Sequence, residues 1–397
     1  MDFSFTKEEE AFRQELRDFL KTELPPDWKG IDEWNTEEEW QLTQQWAKKL
    51  AARGWLTLSW PKEYGGGGGT IMEQLVYREE MYYGLVPGVD MGVGGIAWVG
   101  PSLMLFGTEE QKREHLPPIG RGDRFWCTGY SEPGAGSDLA SLQLRAVAEA
   151  DEWVLNGQKV WTSCAHRAHW CWLAARTDPN APKHRGISMF IVDMKTPGIT
   201  VRPLINTANE HSFNEIFFDD VHIPKRNLVG ELNRGWYHLA TALDFERARP
   251  AIARSAFCRR FLDELVAYAK ETASNGKPLG QDPVVRRKLA DMAVEVETMR
   301  MIAWRIAWMQ SKGLIPNYEA SMGKVYGDEV TERLVNTGME LMGMHGLLEA
   351  GSKWAPLKGC VAVNYLRMPG SKHGGGSDEI QKNIVALRGL GMPRGKD

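Results

Sequence analysis

Hydrophobic spacing divides the chain into three stretches. Up to about residue 124, apolar positions recur at helical intervals, and Phe12, Leu16, Phe19 and Leu20 make one stripe. From about 125 to 230 the period falls to two, the pattern of strands. Ile187, Met189 and Ile191 alternate with their neighbours, as do Ile216 and Phe218. Asn156-Gly157 lies between Trp153-Val154-Leu155 and Val160-Trp161, which predicts a hairpin turn there. From about 231 the helical period returns, over Trp236 to Lys270, Pro283 to Ser311 and Tyr318 to Met344. Long antiparallel helices imply a bundle. The expected fold is mainly α with a small central β-domain, over domains 1–124, 125–230 and 231–397.

Two segments depart from these periods. Gly65 to Gly69 interrupts the first helical stretch. It lacks the strand before it and the Lys-Ser/Thr after it that a phosphate loop needs, so it reads as a flexible surface loop. Met91 to Phe106 is the longest uncharged stretch; it is too short to cross a bilayer and is broken by Pro101. It reads as buried helix or turn.

Composition narrows the class. A net charge of −4 gives no electrostatic reason for a nucleic-acid partner. Cys127, Cys164, Cys171, Cys258 and Cys360 are scattered and odd in number, with no C-x-x-C pair. With a charged, helical N-terminus in place of a signal peptide, they read as reduced thiols of a cytoplasmic protein.

Candidate chemistry sits in two motifs of the β-region. Thr128-Gly129-Tyr130-Ser131-Glu132-Pro133-Gly134-Ala135-Gly136-Ser137-Asp138 is a Pro/Gly-broken loop with hydroxyls on both sides. Asn156-Gly157-Gln158-Lys159-Val160-Trp161-Thr162-Ser163 ends in a strand with one large ring and two hydroxyls. Together they offer backbone N–H groups, hydroxyls and a flat indole, which suits a flat, hydrogen-bonding cofactor.

These motifs resemble the FAD-binding loop and strand of the acyl-CoA dehydrogenase family. Trp60 to Gly66, Phe106 to Lys112, Phe217 to Pro224 and Ser377 to Ile384 follow in the family's order, so the resemblance spans nearly the whole chain. It implies a three-domain fold of α-helical, β-barrel-like and four-helix-bundle parts. It also implies FAD contacts from Tyr130, Ser131, Gly136, Ser137, Trp161 and Ser163, and from Ser377 and Glu379 near the C-terminus. Three positions depart from the family pattern in the half of the site that a neighbouring subunit supplies. Gly276 replaces an Arg, Glu340 aligns with a Gln and Met344 with a glycine.

Dehydrogenation of an acyl-CoA thioester removes the α-proton to a base while the β-hydride goes to flavin N5. Many family members carry the base where this chain has Gly375. Isovaleryl-CoA and long-chain dehydrogenases carry it on a long helix of the C-terminal bundle, where this chain has Glu246 followed by Arg247. Periodicity supports Glu246: Trp236, Leu239 and Leu243 share a helical face, and Glu246 continues it. A carboxylate on an apolar stripe is desolvated, which raises its pKa toward the working pH of a base. The backbone N–H at Gly375 remains available to the thioester oxygen. The resemblance implies a trans-2-enoyl-CoA product, electron-transfer flavoprotein as acceptor, and a homotetramer or α2β2 heterotetramer. Two alternatives stay open: a half-site or non-catalytic subunit of a heterotetramer, and a related flavin oxidase.

Overall fold

The computed structural model describes residues 4–31, 33–89, 94–245, 248–274 and 276–395, with backbone alone over 241–245. In chain order, α1 (Lys7–Glu23), α2 (Glu37–Ala52), α3 (Ile71–Tyr83), α4 (Gly100–Phe106) and α5 (Glu109–Gly120) come first. The sheet strands follow: β1 (Trp126–Gly129), β2 (Arg145–Glu149), β3 (Glu152–Lys159), β4 (Trp170–Arg176), β5 (Ile187–Asp193), β6 (Ile199–Leu204), β7 (Phe213–Pro224) and β8 (Leu228–Val229). Next come α6 (Gly235–Phe245), α7 (Arg249–Glu271), the two-residue strands β9 (Ala273–Ser274) and β10 (Lys277–Pro278), α8 (Pro283–Ser311), α9 (Tyr318–Met342), α10 (Cys360–Ser371) and α11 (Asp378–Ile384). This is the expected α, β, α-bundle order. No described helix is long and apolar enough to cross a membrane.

Local chemistry sets the helix starts. Thr6, Thr36, Thr70 and Thr108 each close a capping box with Glu9, Glu39, Glu73 and Gln111, satisfying backbone N–H groups that lack helical partners. The stripe on α1 buries Leu16 and Phe19, together with Arg13.

The chain clusters into two compact units. One comprises Met1–Gly30, Thr70–Val86 and Arg247–Asp397. Its charged centre joins α1, α3 and α8. Arg13 donates to Glu79 at 3.0 Å and Glu80 at 2.8 Å, while Arg300 and the Trp304 indole meet the other Glu79 oxygen at 2.9 and 2.6 Å. Cys258, Phe261, Leu265, Met299, Val330 and Leu334 anchor the apolar core of its bundle.

The other unit, Ile31–Gly69 and Pro87–Glu246, holds the sheet. Strand order is β6-β7-β3-β2-β4-β5-β8, with β1 parallel to β4. Cys127, Leu155, Leu173, Phe190, Ile216 and Val221 lie in its core. The alternation at Ile216 and Phe218 is present in β7. In β5 both faces are buried from Ile187 to Val192, so period two there marks no solvent face.

Three sequence expectations need correction. Asn156-Gly157 is not a hairpin turn; both residues lie inside β3, which pairs with β7 through a register shift between Leu155 and Gly157. Gly157 has φ +146°, and a Cβ there would lie 2.8 Å from the Leu144 Cα, so glycine serves a bulge and a close approach. The turn joining β2 to β3 falls at Ala150-Asp151. The glycine run is also less free than expected. Gly67, Gly68 and Gly69 donate backbone hydrogen bonds to Thr57, Trp60 and Leu58, and a Cβ on Gly66 would meet the Trp60 carbonyl oxygen at 2.1 Å. Finally, the helix expected from Trp236 to Lys270 is described as α6 and α7, with Pro250 in the first turn of α7. Within Met91 to Phe106, Gly95–Val99 forms a π-helical turn leading into α4.

Candidate active site

The two β-region motifs meet directly. The Val160 N–H donates to the Ser131 carbonyl at 2.9 Å. Lys159, the last residue of β3, is fully buried. Its ammonium donates to the Tyr130 carbonyl at 2.9 Å and to Glu132 Oε1 at 2.8 Å. Glu132 also accepts from the backbone N–H groups of Gln143 (2.6 Å) and Leu144 (2.9 Å), and its own backbone pairs with Ala135. One carboxylate thus closes the loop at both ends. Burial pushes the Lys159 ammonium below its ordinary pKa, and Glu132 acts against that shift. Arg176 on β4 extends the brace, donating to the carbonyls of Ala140 (2.6 Å), Leu142 and Lys183 (2.9 Å).

With its interior fixed, the loop keeps an open outer face. Pro133, Gly134, Gly136 and Ser137 are exposed, and a Cβ on Gly134 or Gly136 would meet nothing within 4 Å. Asp138 is held by Lys183 at 2.6 Å and by the Ser141 hydroxyl. Tyr130 is half-buried, and burial of its phenol, followed by the neighbouring Cys171, raises its pKa well above the ordinary value.

After β3 the chain leaves regular pairing. Trp161 has φ +58° and Cys164 φ +56°, left-handed conformations uncommon for such residues. Trp161 is 62% exposed, touching Phe213 edge-on at 5.9 Å. Thr162 points inward and is buried, whereas Ser163 is half-buried. Asn214 of β7 holds Thr162 twice: its backbone carbonyl accepts the Thr162 N–H, and its side-chain amide donates to the Thr162 carbonyl, both at 3.0 Å. An exposed indole, open glycine backbone and the hydroxyls of Ser131, Ser137 and Ser163 are a donor set that fits a flat dinucleotide cofactor.

In the other unit, Gly375 and Gly376 have φ +66° and +81°, and Gln381 Nε2 donates to the Gly375 carbonyl at 3.0 Å. Ser377 caps α11, and Glu379 is exposed in its first turn. The loop is anchored by Lys324, which meets both Asp378 and Asp328 at 2.7 Å. Burial would raise the Asp378 carboxyl, yet Lys324 holds it below its ordinary value. Glu246 and Arg247 lie outside the described residues. Of the departing positions, Gly276 has φ +77° between β9 and β10, Glu340 is paired with Lys288, and Met344 is exposed.

Three family profiles match: Acyl-CoA dehydrogenase N-terminal domain over residues 6–123, middle domain over 127–221 and C-terminal domain over 233–390. Acyl-CoA dehydrogenase FadE26 of Mycobacterium tuberculosis is 35% identical, with 99% of each chain covered. The chain belongs to the acyl-CoA dehydrogenase family. It is an oxidoreductase acting on acyl-CoA thioesters, in a family of flavoproteins. The structure described as "Tcur3481-Tcur3483 steroid ACAD" superposes with a TM-score of 0.87 at 35% identity, covering 100% of both chains. The ChsE4-ChsE5 complex from Mycobacterium tuberculosis gives the same values.

Motif and spacing assign no role to Glu132, Lys159, Arg176 or Asn214. One signal was present: Lys159 sits at the end of a strand whose core positions are apolar, where an unpaired charge is not tolerated.

Proposed function

We propose that this acyl-CoA dehydrogenase binds FAD and converts a bulky acyl-CoA to its trans-2-enoyl thioester. The observation that carries the reading is the braced loop and strand that leave the Trp161 indole bare beside Ser163 and the open Gly134–Ser137 backbone. Tyr130, Ser131, Gly136, Ser137, Trp161 and Ser163 would hold the flavin, and the family resemblance adds Ser377 and Glu379 to the proposed cofactor contacts. FAD, when bound, supplies the acceptor for the electron pair leaving the β-carbon. This chain's part is to remove the α-proton and to stabilise the negative charge that develops on the thioester oxygen. The Glu246 carboxylate takes the proton, Arg247 orders the site, and the Gly375 N–H donates to the oxygen.

Similarity to a protein described as a steroid ACAD supports a steroid-sized acyl group. Electron-transfer flavoprotein is the proposed acceptor, and the cytoplasm the proposed compartment. A second reading, a subunit of a heterotetramer that completes only some flavin sites, is supported by two observations. Position 276 holds a glycine at positive φ where the family pattern has an Arg, and two similar structures are described by pairs of chain names. The test is Glu246→Gln, assayed by anaerobic bleaching of bound flavin with a panel of short, long, branched, aromatic and steroid-sized acyl-CoA thioesters. Loss of bleaching with flavin retained supports the assignment, and near-normal bleaching refutes it. A chain purified alone that is colourless, but yellow when co-expressed with a partner, favours the second reading.

A further inference from the structure

The Asn214 side chain sits between two imidazoles. His166 and His211 stack at 3.8 Å with an 18° interplanar angle. Asn214 Nδ2 donates to the Thr162 carbonyl at 3.0 Å and lies 3.2 Å from His166 Nδ1. Asn214 Oδ1 lies 2.7 Å from His211 Nε2. A carbonyl only accepts, so the Thr162 contact fixes which way the amide points. Two tautomers follow. His211 Nε2 must carry a proton to meet Oδ1, and His166 Nδ1 must be bare to meet Nδ2. The proton of neutral His166 is then on Nε2, 3.4 Å from the Trp34 carbonyl.

We propose that Asn214 is a positioning residue for the Trp161–Ser163 wall and that neutral His166 sets its orientation. The inference rests on the placement of the flavin against that wall. Asn214 is fully buried and occupies both backbone groups of Thr162, the residue between the exposed indole and the Ser163 hydroxyl. A proton on His166 Nδ1 sets a donor against a donor. Rotating the amide to accept it turns Oδ1 away from His211 and withdraws Nδ2 from the Thr162 carbonyl. One proton therefore disrupts three contacts of a single side chain.

The surroundings hold His166 neutral. Among the described residues, the groups facing it are His211, Asn214, the Trp34 carbonyl and Arg167, and Arg167 is itself paired with Glu37 at 2.6 Å. Burial, followed by His211, pushes the His166 pKa down, so the switch lies on the acid side of the ordinary imidazole range.

The test uses the flavin-loaded assembly, following the bound-flavin spectrum and the rate of anaerobic bleaching by acyl-CoA from about pH 7.5 to about pH 5. The wild type should change its bound-flavin spectrum reversibly toward acid, with flavin still bound. His166→Gln, which cannot titrate, should lose that spectral change, while the acid limb that Glu246 gives the rate remains. Asn214→Ala should show the acid-form spectrum at neutral pH, with bleaching slowed about tenfold. A wild-type acid change of the flavin spectrum in His166→Gln, or a wild-type spectrum and rate in Asn214→Ala, overturns the proposal. If Asn214→Ala does not fold, the wild-type and His166→Gln profiles decide it. Ser163→Ala separates the two levels. An unchanged flavin spectrum there overturns the flavin placement and the clamp with it, whereas a changed spectrum alongside an unaffected Asn214→Ala overturns the clamp alone.

Discussion

Lys159→Met removes the cation from the centre of the braced loop. The Glu132 carboxylate would remain buried, keeping its two backbone donors at Gln143 and Leu144 but losing the ammonium at 2.8 Å. The Tyr130 carbonyl would lose its donor at 2.9 Å. Breaking a buried pair from one side costs about 3–5 kcal/mol, and the remaining N–H donors place this case near about 3 kcal/mol. The loss is local to residues 130–144, so hydrogen–deuterium exchange reads it more directly than global unfolding. Opening made easier by about 3 kcal/mol speeds exchange at the Gln143 and Leu144 amides by about a hundredfold. Lys159→Met/Glu132→Gln should recover much of the loss, because no unpaired charge remains. Wild-type exchange in the single variant, or a double variant as fast as the sum of its parts, would refute the claim that this pair holds the loop.

Two further outcomes follow from the sheet unit. His115 is buried edge-on between Trp126 and Trp170, and burial lowers its pKa to about 4. The unfolded chain takes that proton near 6.5 and the folded chain only near 4, so the unfolded state binds more protons in between. The stability from neutral His115 is full above about pH 6.5 and falls by about 3 kcal/mol as pH drops to about 4. His115→Phe should flatten that part of a denaturation-midpoint profile, and an unchanged acid slope would contradict the assignment. Gly157→Ala drives a Cβ to within 2.8 Å of the Leu144 Cα at φ +146°. It should cost about 2 kcal/mol or more, read as a lowered thermal midpoint, and an unchanged midpoint would contradict the bulge.

What could be read from the sequence followed from what each residue needs locally. Helical spacing located α1, α8 and α9 because a stripe of apolar residues needs a partner face. The two motifs were recognisable because turns and close backbone approach demand Gly, Pro and small hydroxyls. Asn156-Gly157 misled for the same reason. A pair suited to left-handed turns also suits a bulge, and only the pairing of β3 with β7 distinguishes them. Lys159, Arg176 and Asn214 could not be assigned roles from spacing. Glu132, Ala140 and Thr162, which they hold, lie 27, 36 and 52 residues away in sequence and meet them only through the sheet. β5 showed alternation without a solvent face, because its neighbours cover both sides.

Gly375 also bears on which substitutions the chain can accept. A side chain there would find open space, with nothing within 4 Å of a Cβ, so crowding is no obstacle. The obstacle is the backbone, because φ +66° costs an L-residue about 1–2 kcal/mol. A carboxylate at this position therefore carries that cost, unless the neighbouring loop shifts to relieve it. In evolutionary terms the backbone sets a threshold: a descendant of this sequence acquires an acid at position 375 only with that loss of stability, or with a second change that relieves it.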